Sequence, residues 1–159
     1  MKKTVYLGLG SNVGDREENL NQALRCLEQA GVHVVKASSL YETAPMYETA
    51  QDTFLNMAVE AQTDAMPRTL LRVVKGIETG IGRKPGPRNG PRLLDIDILL
   101  YSRFVVDAPG LQIPHPRLRE RRFVLEPLLE IAPRLRHPLT GQSLAECLHL
   151  LPPQGVKKR

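Results

Sequence analysis

The alternation of apolar and polar positions over Thr4–Leu9 predicts a strand, and Gly10-Ser11-Asn12-Val13-Gly14 reads as the turn that follows it. Asp15, with Glu18 three positions later, is a helix-starting pair, and Leu20, Ala23, Leu24 and Leu27 then recur on one helical face until Gly31. Val32–Leu40 is a second, β-branched strand, and a loop opens at Tyr41-Glu42-Thr43-Ala44-Pro45-Met46-Tyr47 and runs to about Thr53. Phe54–Thr63 is a third strand. Pro67 introduces a second helix, with Leu70, Leu71, Val74, Ile77 and Ile81 at helical spacing, and Leu93–Leu100 is a fourth strand. Beyond it, Ser102–Val106 and Leu111–Ile113 predict a small hairpin. One helix starts within Arg117–Arg122, and another at Ser143 with Glu146 in capping register, stopped by Pro152-Pro153; Gln154–Arg159 reads as a frayed tail.

Strand, helix, strand, strand, helix, strand is the split βαβ order of an α+β, ferredoxin-like βαββαβ sandwich, here with a small extra hairpin and additional C-terminal helices. The helices are expected on one face of the sheet. At 159 residues the chain suits a single domain spanning 1–159. With 25% charged and 42% hydrophobic residues it has the composition of an ordinary globular protein, which excludes a disordered or membrane class. No apolar run approaches the roughly 18 residues of a membrane span, and no secretory signal is visible. Cys26 and Cys147 both fall in apolar helical patterns and read as small buried hydrophobes, compatible with a reducing cytoplasm.

Charge changes the picture at one place. The net charge of +5 is partly focused in Gly82-Arg83-Lys84-Pro85-Gly86-Pro87-Arg88-Asn89-Gly90-Pro91-Arg92, a loop restricted by proline and hinged by glycine, as an anionic ligand would require. The next strand carries Asp95 and Asp97 among aliphatics. Side chains two apart on a strand share a face, with Cα atoms roughly 6.5 Å apart, while Leu94, Ile96, Ile98 and Leu100 are expected to point the other way into a core. Asp-x-Asp alone also suits a half-exposed strand with a polar side. Beside the basic loop, it suggests a magnesium and phosphate site, because magnesium is typically held by one or two carboxylates plus substrate phosphates.

Other candidates are more loosely placed. His115, between two prolines, could hydrogen-bond a phosphate, and Arg117, Arg119, Arg121 and Arg122 could direct guanidinium groups towards the same anion or simply face solvent. Gly8-Leu9-Gly10 lacks the spacing of a dinucleotide loop and reads as part of a turn. Phe54, Phe123, Tyr41, Tyr47 and Phe104 are the available stacking surfaces, and Asn56 shares a strand face with Phe54, offering a donor and an acceptor to a heterocycle edge.

Gly10-Ser11-Asn12, Tyr41-Glu42-Thr43-Ala44-Pro45, Phe54-Leu55-Asn56, Gly90-Pro91-Arg92-Leu93-Leu94-Asp95-Ile96-Asp97-Ile98-Leu99, Pro114-His115-Pro116-Arg117 and Arg121-Arg122-Phe123-Val124-Leu125-Glu126-Pro127-Leu128 together resemble the 6-hydroxymethyl-7,8-dihydropterin pyrophosphokinases of folate biosynthesis. The resemblance spans about Val5–Leu151. It implies a transferase that moves pyrophosphate from ATP to 6-hydroxymethyl-7,8-dihydropterin, releasing AMP and the pterin diphosphate. Asp95 and Asp97 would hold two Mg2+ ions. Arg83 and Arg92 would stabilise phosphate charge during transfer, Glu78, Arg88, His115 and Arg121 would contact ATP, and Thr43, Ala44, Met46, Phe54, Asn56 and Phe123 would bind the pterin. Family members often carry tryptophan where this chain has Asn89, which bears on loop closure. The expected partners are these two small molecules, for a cytoplasmic monomer that binds neither nucleic acid nor membrane. A nucleotidyl transferase or cyclase is the rival enzyme, and a basic ferredoxin-like domain could instead bind RNA through its sheet, although aromatics are few and acids lie on the sheet.

Overall fold

The computed structural model describes residues 1–44, 53–81 and 93–159. Its main sheet is built from β1 (Lys3–Ser11), β2 (His33–Ala37), β3 (Tyr41–Thr43), β4 (Phe54–Thr63), β5 (Asp95–Tyr101) and β8 (Val156–Lys158), while β6 (Val106–Ala108) and β7 (Leu111–Ile113) form a separate hairpin. The helices are α1 (Arg16–Gln29), α2 (Pro67–Ile81), α3 (Arg122–Ile131), preceded by a 3-10 turn at Leu118–Glu120, and α4 (Leu144–Leu150). The strand path is β5-β1-β4-β3-β8, with β2 also pairing with β4, and every pairing is antiparallel. With α1 and α2 as crossovers, this is the ferredoxin-like arrangement.

Alternation in β1 sorts the two faces. Val5, Leu7 and Leu9 are buried with Leu20, Ala23 and Leu27 of α1, Leu70, Val74 and Ile77 of α2, and Ile96 and Ile98 of β5. The opposite face is not open. Ala58, Leu99 and Leu100 are buried there with Leu118, Leu125 and Leu128 around the start of α3, and Leu144 and Cys147 of α4. The expectation of helices on one face is therefore corrected: the sheet lies between two helical layers, because its second face is itself apolar beyond the glycines and acids.

Four local differences separate the sequence pattern from the structure. First, β1 runs through Gly10 and Ser11, which had read as turn. Second, Val32–Leu40 is not one strand; β2 ends at Ala37 and β3 resumes at Tyr41, within the expected loop. Ser38 bridges the break, since its N–H donates to the Ala58 carbonyl while its hydroxyl oxygen accepts from the Ala58 N–H, both at 2.9 Å. A side chain thus replaces a ladder bond. Third, the hairpin strand begins at Val106 rather than Ser102, and Val156–Lys158, expected to fray, is a strand paired with β3. Fourth, Leu100 does not follow Ile96 and Ile98. The register shifts between Tyr6, opposite Leu100, and Leu7, opposite Ile98, leaving Leu99 as an inserted residue that carries Leu100 to the second face.

The helix starts match their sequence signals. The Asp15 carboxylate accepts from the Glu18 N–H at 3.1 Å, and the Ser143 hydroxyl accepts from the Glu146 N–H at 3.4 Å. Cys26 and Cys147 are free thiols. Among the described residues no helix is long and apolar enough to cross a membrane.

Candidate active site

Two glycines of β1 and two acids of the edge strand β5 are brought together on one face of the sheet. Asp95 lies opposite Gly10 and Asp97 opposite Gly8 across the β1–β5 pair, and on the other side of β1, Gly10 lies opposite Asn56. Glycine at an interior strand position removes a side chain from the surface and lets other groups approach. Here a Cβ on Gly10 would stand 2.7 Å from Asn56 Oδ1 and 3.7 Å from the Phe54 ring. The space over Gly10 is thus occupied by the Asn56 amide beside Phe54, and Asn56 Nδ2 donates to Thr43 Oγ1 at 2.9 Å. Asn56 and Thr43 are both buried, and Asp95 and Asp97 are half-buried. The result is a floor with a polar edge at one end and a carboxylate pair at the other. Gly8 and Gly10 were missed as site residues; their signal was two glycines with strand spacing inside an apolar alternation.

Beyond the acids, on the outer side of β5, lies a cavity of about 440 Å3 bounded by Leu71 and Lys75 of α2, Ile96, Asp97 and Ile98 of β5, and His115. The β5 edge is held by Glu78: its buried carboxylate accepts the Ile96 N–H at 2.6 Å and takes the Lys75 ammonium at 3.3 Å. An outward N–H of the edge strand, between the two acids, is thereby fixed to α2. Glu78 therefore sits behind the acid pair and holds its backbone. Lys75 was also missed, although Leu71, Lys75 and Glu78 share one helical face and could have been read together.

His115 closes the cavity from the segment after β7. Its N–H donates to the Leu99 carbonyl at 3.0 Å, and its Nδ1 accepts from the Arg117 N–H at 3.1 Å, which fixes the ring. Burial pushes the imidazole below its ordinary pKa; Asp97 opposes this, while Arg121 and Arg117 add to it. His115, Asp97 and Arg121 thus share one electrostatic neighbourhood. The Arg121 guanidinium lies over the Phe123 ring at 5.4 Å, and its buried Nε has no hydrogen-bond partner among the described residues. A buried donor left open in this way suits an anionic ligand.

The structure thus joins Asp95, Asp97, Thr43, Phe54 and Asn56 on one sheet face, with His115 near Asp97 and Arg121, and Phe123 under the Arg121 guanidinium. Ala44 continues from Thr43, its N–H donating to the Gly155 carbonyl at 3.4 Å. Arg83, Arg88, Arg92 and Met46 lie outside the described residues. Among the described residues no cluster of three or more His, Cys, Asp or Glu side chains forms a protein-only metal cage. An acid pair with hard oxygen donors, of which Asp97 lines the cavity, still fits a cation that completes its shell from water and phosphate.

The family model for 7,8-dihydro-6-hydroxymethylpterin-pyrophosphokinase matches residues 6–133. The chain belongs to this family. A Bacillus subtilis member, 2-amino-4-hydroxy-6-hydroxymethyldihydropteridine pyrophosphokinase, is 47% identical over 142 residues, covering 89% of this chain and 85% of its own. Its Methylorubrum extorquens counterpart is 44% identical over 155 residues, covering 97% of each. The folic acid synthesis protein fol1 of Schizosaccharomyces pombe is 45% identical over 156 residues, but the chain spans only 21% of its length. The likeness to fol1 is thus to one part of it. Among solved structures, Plasmodium falciparum HPPK-DHPS superposes with a TM-score of 0.74 at 15% identity, over 94% of this chain and 44% of that one, which concerns the fold.

Proposed function

We propose that this chain, as one domain and one protomer in the cytoplasm, transfers pyrophosphate from ATP to 6-hydroxymethyl-7,8-dihydropterin, giving AMP and the pterin diphosphate for folate biosynthesis. The observation that carries this reading is the position of the acid pair, with Asp97 on the wall of a cavity of about 440 Å3 and Asp95 across Gly10 from a floor edged by Asn56, Thr43 and Phe54. The cavity takes the nucleotide and the floor takes the pterin, so the two substrates meet over the acids.

In the reaction the pterin hydroxymethyl oxygen bonds to the β-phosphorus of ATP, the bond from that phosphorus to the α–β bridging oxygen breaks, AMP leaves, and the hydroxyl proton passes to solvent. Phe54 and Phe123 hold the pterin between their faces, and Asn56, Thr43, Ala44 and Met46 read its edge. Asp95 and Asp97 would hold two Mg2+ ions, which supply positive charge to the phosphate oxygens. His115, Arg121, Arg88 and Glu78 belong to the ATP side, where His115 and Arg121 present fixed donors and Glu78 acts through the β5 backbone. Arg83 and Arg92 balance charge as the bridge breaks. Positioning and fixed charge suffice for such a transfer, and no side chain needs to become covalently attached.

The test is to incubate the protein with Mg2+, ATP and the reduced hydroxymethylpterin and to identify the nucleotide released. AMP with a pterin diphosphate supports the reading; ADP points to a simple kinase, pyrophosphate to attack on the α-phosphate, and either would refute it. Asp97→Ala is expected to lower turnover by on the order of 100–1000-fold or more, as removal of a principal charge-stabilising group does. Near-normal AMP release by a folded Asp97→Ala protein would separate the acid pair from the chemistry.

A further inference from the structure

The two walls of the pterin slot belong to elements distant in sequence, and one short segment outside the span of the family model touches both. Gln154 lies between α4 and β8. Its Oε1 accepts from the Arg122 N–H at 2.8 Å, and its Nε2 donates to the Glu120 carbonyl at 3.0 Å. One side-chain amide therefore grips the backbone on either side of Arg121, and no side chain caps the start of α3 from Arg121 itself. Arg121 is the residue whose guanidinium stands over Phe123.

The next two residues hold the other wall. The Gly155 carbonyl accepts from the Ala44 N–H at 3.4 Å, and Val156 pairs with Thr43. Gly155 has φ +66°, a conformation that favours glycine, and a Cβ there would meet Ala44 Cβ at 3.6 Å. The Arg122 side chain adds to the attachment, donating to the carbonyls of Pro152 and Leu151, both at 2.7 Å. Three consecutive residues, Gln154, Gly155 and Val156, thus run from the start of α3 to the end of β3.

We infer that Gln154–Val156 is a strap that sets the separation of the Phe123 wall from the Thr43 wall, and that Gln154 is a positioning residue for the pterin. The inference rests on the pterin reading of the slot given above. Gln154 touches no reacting atom; it holds the backbone on either side of Arg121, whose guanidinium stands over Phe123. Of the described residues assigned to ATP, Glu78 lies on α2 and His115 after β7, with Arg121 alone at the start of α3. Loosening the strap should therefore weaken the pterin more than the nucleotide.

The experiment titrates a nonhydrolysable ATP analogue with Mg2+ into the parent, Gln154→Ala, Gln154→Glu and a chain ended after Pro153, and then the reduced hydroxymethylpterin into each of them, both free and saturated with that analogue. Loss of both amide contacts in Gln154→Ala is expected to raise the pterin Kd about tenfold, as loss of hydrogen bonds worth a factor of ten would. The ATP analogue Kd should move no more than about threefold. Gln154→Glu keeps the acceptor for the Arg122 N–H and should fall between parent and Gln154→Ala, a partial rescue that general loosening would not give. The shortened chain should be at least as impaired for pterin as Gln154→Ala. An unchanged pterin Kd in folded Gln154→Ala, or an equal loss for both ligands, overturns the strap while leaving the proposed activity standing. A parent that binds ATP but no pterin overturns both. If Gln154→Ala does not fold, Gln154→Glu decides, and a parent-like pterin Kd there together with an unaltered shortened chain overturns the proposal.

Discussion

Gly10 shows how much a single absent side chain can determine. A Cβ there would stand 2.7 Å from Asn56 Oδ1, and the Asn56 side chain in turn donates to Thr43. Gly10→Ala must displace that buried amide, and because Asn56 lies in the sheet between two partners it cannot swing freely aside. Overpacking of this kind typically costs about 1–3 kcal/mol in stability. The same displacement removes the polar edge that the pterin would meet, so its Kd should rise tenfold or more, about 1.4 kcal/mol. Gly8→Ala is the internal control. A Cβ there would meet Leu99 at 3.5 Å, an ordinary contact, and the expected cost is under about 1 kcal/mol. Urea midpoints and pterin titrations on both variants check the contrast; equal effects at the two glycines would mean that the Asn56 contact is not what requires glycine at position 10.

At the scale of elements, β3 is only three residues long, and its register decides where Thr43 meets Phe54. A two-pronged clamp reinforces it. The Arg16 guanidinium, at the start of α1, donates to both Glu42 carboxylate oxygens at 2.8 Å and to the Thr53 carbonyl and hydroxyl at 3.0 Å, and Thr53 in turn donates to Glu42 at 2.7 Å. The Arg16 contact holds the Glu42 carboxyl below the usual carboxylate range, against an opposing effect of burial and with help from Thr53. A carboxyl with a depressed folded pKa adds stability above its unfolded pKa of about 4.3 and loses it as pH falls through the folded value. The stability gap between the parent and Arg16→Met should accordingly be full at neutral pH and shrink below about pH 4. Urea unfolding at a series of pH values measures it, and a gap that widened on acidification would assign the effect elsewhere. None of this was legible in the sequence, where Glu42 lay in an expected loop. Long elements with strong periodicity, α1, β4 and α2, were legible because burial imposes the period. Asp95 and Asp97 stood out because acids in an aliphatic strand demand compensation. Short β3 and β8 carry too few residues for a period; the Ser38 bridge and the Leu99 insertion depend on partners far along the chain.

For the whole molecule, the main consequence of the second helical layer is that the site face of the sheet is also a core face. Tyr6 packs against that layer, with Ala58, Leu99 and Leu100 beneath Leu125, Leu128 and Leu144, and Asp95, Asp97 and Asn56 occupy the same face nearer the other end of the strands. The layer also sets where α3 begins, and so where Arg121 and Phe123 stand. α4 lies beyond residue 133, where the family model ends, yet Leu144 and Cys147 are buried in this cluster. The two layers should be comparably important to folding. Leu144→Ala in α4 and Leu70→Ala in α2 each empty a site with no exposed surface, and each should cost about 2–5 kcal/mol, a large share of the 5–15 kcal/mol that usually separates folded from unfolded chains. Chemical denaturation followed by far-ultraviolet circular dichroism gives both values. The distinguishing measurement is ligand binding at low denaturant: Leu144→Ala, acting through α3, should weaken the pterin while the protein remains folded, whereas Leu70→Ala should lower stability with less change in pterin affinity. If Leu144→Ala costs less than about 1 kcal/mol, α4 is a peripheral addition and the placement of Phe123 must come from the 3-10 turn and the Gln154 contacts at the start of α3.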